Sequence, residues 1–93
     1  MFKSIHEERK TFSRKVVEYI RELISSGQLK AGDKLPPERE LAEMMNVSRP
    51  TIREAFKILS AMGFLRIKQG HGVFVADQGT RLDNLASVLF LQT

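Results

Sequence analysis

A turn of only Asn46-Val47-Ser48 joins two stretches of helical periodicity, and its brevity dictates how they can sit. Two helices separated by so little chain are the mark of a helix-turn-helix. Before the turn, Leu35-Pro36-Pro37-Glu38-Arg39-Glu40-Leu41-Ala42 opens a short helix. Proline is tolerated in a first helical turn because its missing N–H would be unpaired there. Glu38 and Glu40 lie near the positive end of the helix dipole, Leu41, Ala42 and Met45 form a small apolar face, and Asn46 is the stop. After the turn, Ser48 is a good N-cap for a helix running from Arg49 to Met62, with Gly63 ending it. Ile52, Ala55, Phe56, Leu59 and Met62 share one stripe of that helix; Arg49, Arg53, Lys57 and Ser60 share another.

The flanking segments supply the rest of a small domain. Residues 1–10 are mixed in charge and form an arm or extended lead-in. From Thr11 the period becomes helical: Phe12, Val16, Ile20, Leu23 and Ile24 fall on one side with Val17 at its border, and Gly27 closes the helix. Gln28 to Leu35 is a connection with a turn at Gly32-Asp33. Past Gly63, Phe64–Ile67 and Val73–Val75 are short strands, and the connector Lys68-Gln69-Gly70-His71-Gly72 suits a hairpin turn. Residues 76–81 form a linker. Leu82, Leu85, Ala86, Leu89 and Phe90 then begin another helix over 82–93. The predicted fold is mostly α with a small β-hairpin: a winged helix-turn-helix over residues 11–75, with a three-helix core and a two-stranded wing.

Composition narrows the chemistry. The chain has 93 residues, enough for one small domain, and 42% of them are hydrophobic, so wholesale disorder is not expected. It contains no cysteine, which removes disulfides and thiolate metal sites. No apolar run approaches the roughly 20 residues that span a bilayer, and the N-terminus lacks a signal-peptide core. A cytoplasmic protein is expected. With two histidines, His6 and His71, a metal site within the chain is not expected, and the methionines other than Met1 read as packing. No serine, histidine and carboxylate grouping and no phosphate-cradling glycine loop is present, so nothing points to an enzyme.

The net charge of +4 permits a nucleic-acid partner without requiring one; the placement of the cations says more. The major groove of DNA, about 12 Å wide, admits one helix, and residues near that helix's N-terminus reach base edges. Arg49, Thr51 and Arg53 stand there in the third helix. Arginine's planar fork bonds the O6 and N7 of guanine together, which lysine cannot imitate. Lys68 and His71 flank Gly70 in a hairpin that suits the adjacent minor groove or backbone. A different class of function, a winged helix that docks a protein, would call for an apolar or aromatic anchor where Arg49, Arg53 and Lys57 stand.

Three motifs are specific enough to carry a resemblance: LPPERELA at 35–42, NVSRPTIREAFKIL at 46–59 and GFLRIKQGHGVFV at 63–75. In order and spacing they resemble the GntR family of bacterial transcription regulators, and SRPTIREA resembles its FadR-like branch. Position by position, the resemblance implies DNA contact for Arg39 at the start of the second helix and for Arg49 and Arg53 in the recognition helix. Ser48 and Thr51 stand beside them with polar contacts, and Lys68, Gln69, Gly70 and His71 occupy the wing. Pro50 stands where the family often has threonine and receives no base-reading role. Arg39 also has Glu38 and Glu43 as nearby partners, and for His71, Lys57 and Arg66 a plain solvated role stands equally open. Glu54 restrains an arginine or faces water.

The trailing LDNLASVLFLQ resembles the opening helix of that branch's all-helical effector domain, so the resemblance implies a longer protein. It further implies a regulator, in the role of repressor, that binds a palindromic duplex-DNA operator as a homodimer. No cofactor is expected in the chain itself; a small-molecule effector, a carboxylate or one held through a metal, is expected only in the C-terminal domain.

Overall fold

The structure, a computed structural model, describes residues 5–77, with side chains from Thr11 onward. Three helices precede a hairpin: α1 (Ile5–Ser25), α2 (Glu38–Met45), α3 (Arg49–Ala61), β1 (Leu65–Lys68) and β2 (Gly72–Val75). Residues 5–10, expected in an arm, belong to α1, which begins at Ile5, six residues before the expected start at Thr11. The segment HEERK contains no breaker, and Glu, Arg and Lys all have good helix propensity, so the helix continues upstream.

The buried stripe of α1 is also rotated from expectation. Val16, Val17 and Ile20 are in the core and Ile24 is partly buried, but Phe12 is 46% exposed. Ser13, at 1% exposure, takes the inward position. A small side chain lets α1 approach α3 closely, and the Ser13 hydroxyl donates to Glu54 Oε2 at 3.1 Å. Glu54 therefore ties two helices together instead of restraining an arginine. Phe12 turns outward, with Lys15 Nζ 5.9 Å from its ring centroid.

The connection between α1 and α2 is built into the wing. Asp33 turns the chain by accepting from the Lys30 amide at 2.8 Å, while its own amide donates to Lys30 O at 2.9 Å. Val75 N donates to Asp33 O and Leu35 N to Val73 O, each at 2.8 Å, and Lys34 bridges Phe74 in antiparallel fashion. A segment expected as a plain connection thus lies along β2 on the side away from β1. β1 and β2 pair antiparallel with Leu65 opposite Val75, Arg66 opposite Phe74, Ile67 opposite Val73 and Lys68 opposite Gly72. Each strand is displaced by a residue at the tip from its expected limits.

Helix ends follow local chemistry. Pro37 is the N-cap of α2 and Pro36 precedes it, so both prolines stand just before the helix they were expected to begin. Asn46 ends α2 in the left-handed conformation (φ 56°, ψ 47°), which asparagine tolerates better than most residues. Ser48 caps α3, its Oγ accepting from the Thr51 amide at 3.3 Å, and Pro50 follows in the first turn. Met62 is the C-cap of α3 and is 46% exposed, so it leaves the apolar stripe assigned to it. Met44 is 71% exposed and likewise does not pack; Met45 does, against the core.

That core gathers around α3, whose Ile52, Ala55 and Leu59 are fully buried and whose Phe56 is 5% exposed. Val16, Val17 and Ile20 from α1, Leu41 and Ala42 from α2, Leu35 from the connection, and Leu65 and Val75 from the wing surround them. Ala76, expected as the start of a linker, is buried and donates from its amide to Phe64 O at 2.9 Å, so it packs with the wing. The remaining linker positions 78–81, the helix expected over 82–93 and residues 1–4 of the arm lie outside the described residues.

Candidate nucleic-acid interface

Arg49 and Arg53 are four residues apart and therefore share a face of α3. Both are exposed, with 59% and 53% of the side-chain surface open. Their guanidinium groups converge on one carboxylate. Glu38 Oε1 accepts from Arg49 Nε at 3.0 Å and from Arg53 Nη2 at 2.8 Å, and Oε2 accepts from Arg53 Nε at 3.0 Å. Arg53 is held by two parallel bonds, the fork geometry that fixes a guanidinium plane. The Arg53 hydrogen bonds are the largest influence holding the Glu38 carboxyl below its ordinary value; desolvation opposes them, and Arg49's hydrogen bond and both positive charges add to the lowering. The same hydrogen bonds raise Arg53.

This carboxylate is the feature that reading along the chain missed. Glu38 was assigned only to the helix dipole, or to Arg39, because its partners lie 11 and 15 residues away. Nothing in local spacing marks such a contact; the packing of α2 against α3 creates it. Arg39 turns instead toward Glu43, with Nε 3.7 Å from Oε1 across one helical turn, and both side chains are over 70% exposed. Arg39 and Arg49 also flank a shallow depression floored by Ala42, Asn46, Val47 and Ser48. The structure thus brings Arg39, Arg49 and Arg53 onto one surface spanning the α2–α3 turn.

Thr51 does not join them. It is 2% exposed, and its Oγ1 lies 2.8 Å from Ser48 Oγ in a hydrogen bond. Its hydroxyl completes the cap of α3, which removes it from the polar contacts expected of it; Ser48 itself is exposed but engaged in the same cap. At the wing, Gln69, Gly70 and His71 are exposed in the turn, which closes with His71 N donating to Lys68 O at 3.0 Å. Gly70 adopts φ 80°, a conformation that disfavours side chains with a Cβ. Lys68 lies at the root of this turn with its ammonium 5.5 Å from the Phe74 ring centroid. Among the described residues no hydrogen bond or ion pair connects the wing turn to the α3 arginines, so arginine cluster and wing are separate cationic features. Also among the described residues, no group of three or more His, Cys, Asp or Glu is placed to hold a metal ion, and no helix is long and apolar enough to cross a membrane.

Comparison with known proteins agrees with this fold. Residues 12–75 match the family described as bacterial regulatory proteins, gntR family. A curated relative, the uncharacterized HTH-type transcriptional regulator YcbG of Bacillus subtilis, is 47% identical over 70 residues, covering 75% of this chain and 30% of its own length. The chain therefore spans less than a third of that relative. Among solved structures, a GntR family transcriptional regulator from Listeria monocytogenes superposes with a TM-score of 0.70 at 30% identity, covering 86% of this chain and 70% of that one. AraR(DBD), solved in complex with operator ORR3, gives a TM-score of 0.68 at 40% identity, over 70% of this chain and 78% of that one.

Proposed function

The chain belongs to the gntR family of bacterial regulatory proteins, and from that premise we propose that it is the duplex-DNA-reading domain of a transcription regulator. The observation that carries this reading is the pair Arg49 and Arg53, exposed in the first turns of α3 with their planar forks already oriented by one carboxylate. An α3 laid in the major groove presents both arginines to base edges, where each bidentate pairing with guanine is worth about 1–3 kcal/mol of discrimination. Arg39 and Lys68 supply phosphate contacts on either side, and the turn Gln69-Gly70-His71 meets the neighbouring minor groove. The likeness to AraR(DBD), solved in complex with operator ORR3, supports operator DNA as the ligand.

One domain makes few base contacts, so specificity sufficient for a genome calls for two copies on the half-sites of a palindromic operator. The regulator then acts as a repressor in the cytoplasm, released or engaged by a small-molecule effector bound in a separate C-terminal domain, as the likeness of SRPTIREA to the FadR-like branch suggests. The effector changes the spacing or angle of the two reading heads.

The test is selection from a randomised duplex pool, run in parallel with the parent chain and Arg49→Ala at one fixed salt concentration. A two-fold symmetric sequence enriched by the parent and lost in the variant is the expected result. A parent that enriches no sequence, or a variant that enriches the same one, would overturn base reading by α3.

A further inference from the structure

Lys34 lies outside every motif that pointed to DNA, yet the fold delivers it to the wing. Its bridge to Phe74 aligns it with the row that Arg66 and Phe74 already make, because cross-strand partners direct their side chains to the same face of a sheet. Leu65 and Val75 are buried on the opposite face, so Arg66, Lys68, Gly72, Phe74 and Lys34 share the outward one. The Lys34 stem runs from Phe74 over Gly72: a Cβ at Gly72 would lie 2.8 Å from Lys34 Cε. Glycine at this position leaves the channel that the stem occupies. From the other strand, Lys68 folds its ammonium over the ring of Phe74.

Three cations therefore share one face of the wing with the half-buried Phe74. All three are exposed, and among the described residues none forms an ion pair. Arg39, Arg49 and Arg53 each have a carboxylate partner; among the described residues the wing cations have none. Like charges on one face of the wing repel one another, and an external polyanion relieves that repulsion. The patch is continuous with the wing turn through Lys68.

We propose that Lys34, Arg66 and Lys68 form a phosphate-binding face, with the duplex-DNA backbone alongside the groove entered by the wing turn as its ligand. The proposal rests on the DNA-reading function and adds to it Lys34 and Arg66, residues outside the recognition helix and the wing turn. The face sees no bases. It sets affinity and salt dependence, while sequence preference stays with α3.

The experiment titrates a short duplex of mixed sequence, and the duplex enriched by the parent, with the parent chain, Lys34→Met, Arg66→Gln and Arg49→Ala over a series of salt concentrations. Lys34→Met keeps the unbranched stem over Gly72 and removes only the charge. Each wing variant lowers the slope of log affinity against log salt by about one unit on both duplexes. Over a four-fold rise in salt, the parent then loses about 3.5-fold more affinity than either variant. Melting temperatures stay at the parent value, which separates loss of a contact from loss of structure. Arg49→Ala, by contrast, erases the difference between the two duplexes. Parent slopes in both Lys34→Met and Arg66→Gln, with Arg49→Ala still losing preference, would overturn this face and leave the DNA reading intact. A parent chain that binds neither duplex would overturn both.

Discussion

Arg53 grips Glu38 with two parallel hydrogen bonds, Nη2 to Oε1 at 2.8 Å and Nε to Oε2 at 3.0 Å, across the α2–α3 turn. The residue proposed to read guanine is thus already occupied by an acceptor in the free protein. If Arg53 reads bases as proposed, a duplex must displace Glu38 to be read. A phosphate, through two oxygens, and a guanine edge, through O6 and N7, can each take the fork from Glu38, and only the guanine contact carries sequence information. On that reading Glu38 competes with every duplex for the fork and also fixes the orientation of the guanidinium plane. Glu38→Gln removes the charge and most of the fork. It is expected to tighten binding to a mixed-sequence duplex by up to about five-fold, the range set by exposed ion pairs, and to narrow the preference for the selected one. Titrating parent and variant against both duplexes checks this; unchanged affinity for mixed sequence would mean that the arginines leave Glu38 without cost.

The same contact has a pH signature. Because the folded state holds the Glu38 carboxyl below its ordinary value, the pairing contributes its full stabilisation above that ordinary value and loses it as pH falls through the lowered one. Thermal melts of the parent and Glu38→Gln, from about pH 6 down to about pH 3, should differ at the upper end and converge at the lower. A difference that persists into the acid range would assign the stabilisation to packing of the side chain instead of its charge.

Most of the fold was legible because its signals are local. The Asn46 stop, the Ser48 cap, Gly27 and Gly63 at helix ends, and the glycine-flanked hairpin each depend on a residue and its immediate neighbours. What escaped was contact between segments distant in the chain. Ser13 is polar and Phe12 apolar, so periodicity placed Phe12 inside; only the close approach of α3, with Glu54 waiting for a hydroxyl, reverses them. Thr51 carried a motif position but not its exposure. Lys34 pairs with Phe74 across most of the domain, and nothing in Gln28–Leu35 announces a strand.

The revised phase of α3 separates two residues that the apolar stripe had grouped together. Phe56 is 5% exposed and Met62 46%. Phe56→Ala should destabilise by roughly 3–5 kcal/mol, the lost transfer energy together with the cavity left behind. Met62→Ala should stay within about 0.5 kcal/mol of the parent, as for other surface positions. Denaturant midpoints for the two variants decide this, and equal losses would return Met62 to the core.

Ser48 and Thr51 form a unit whose purpose can be separated from DNA contact. Ser48 Oγ accepts from the Thr51 amide and shares a 2.8 Å hydrogen bond with the Thr51 hydroxyl, which is buried. Ser48→Ala removes the cap and also strands that hydroxyl, so it should cost about 1–2 kcal/mol. Adding Thr51→Val to it replaces the stranded hydroxyl with a methyl of similar shape, and part of the loss should return, since removing both partners costs less than removing one. Thr51→Val alone should leave the preference between selected and mixed duplexes unchanged, because the hydroxyl serves the helix end and not the groove. Lost preference at an unaltered melting temperature would show instead that Thr51 swings outward on DNA, and would restore it to the reading surface.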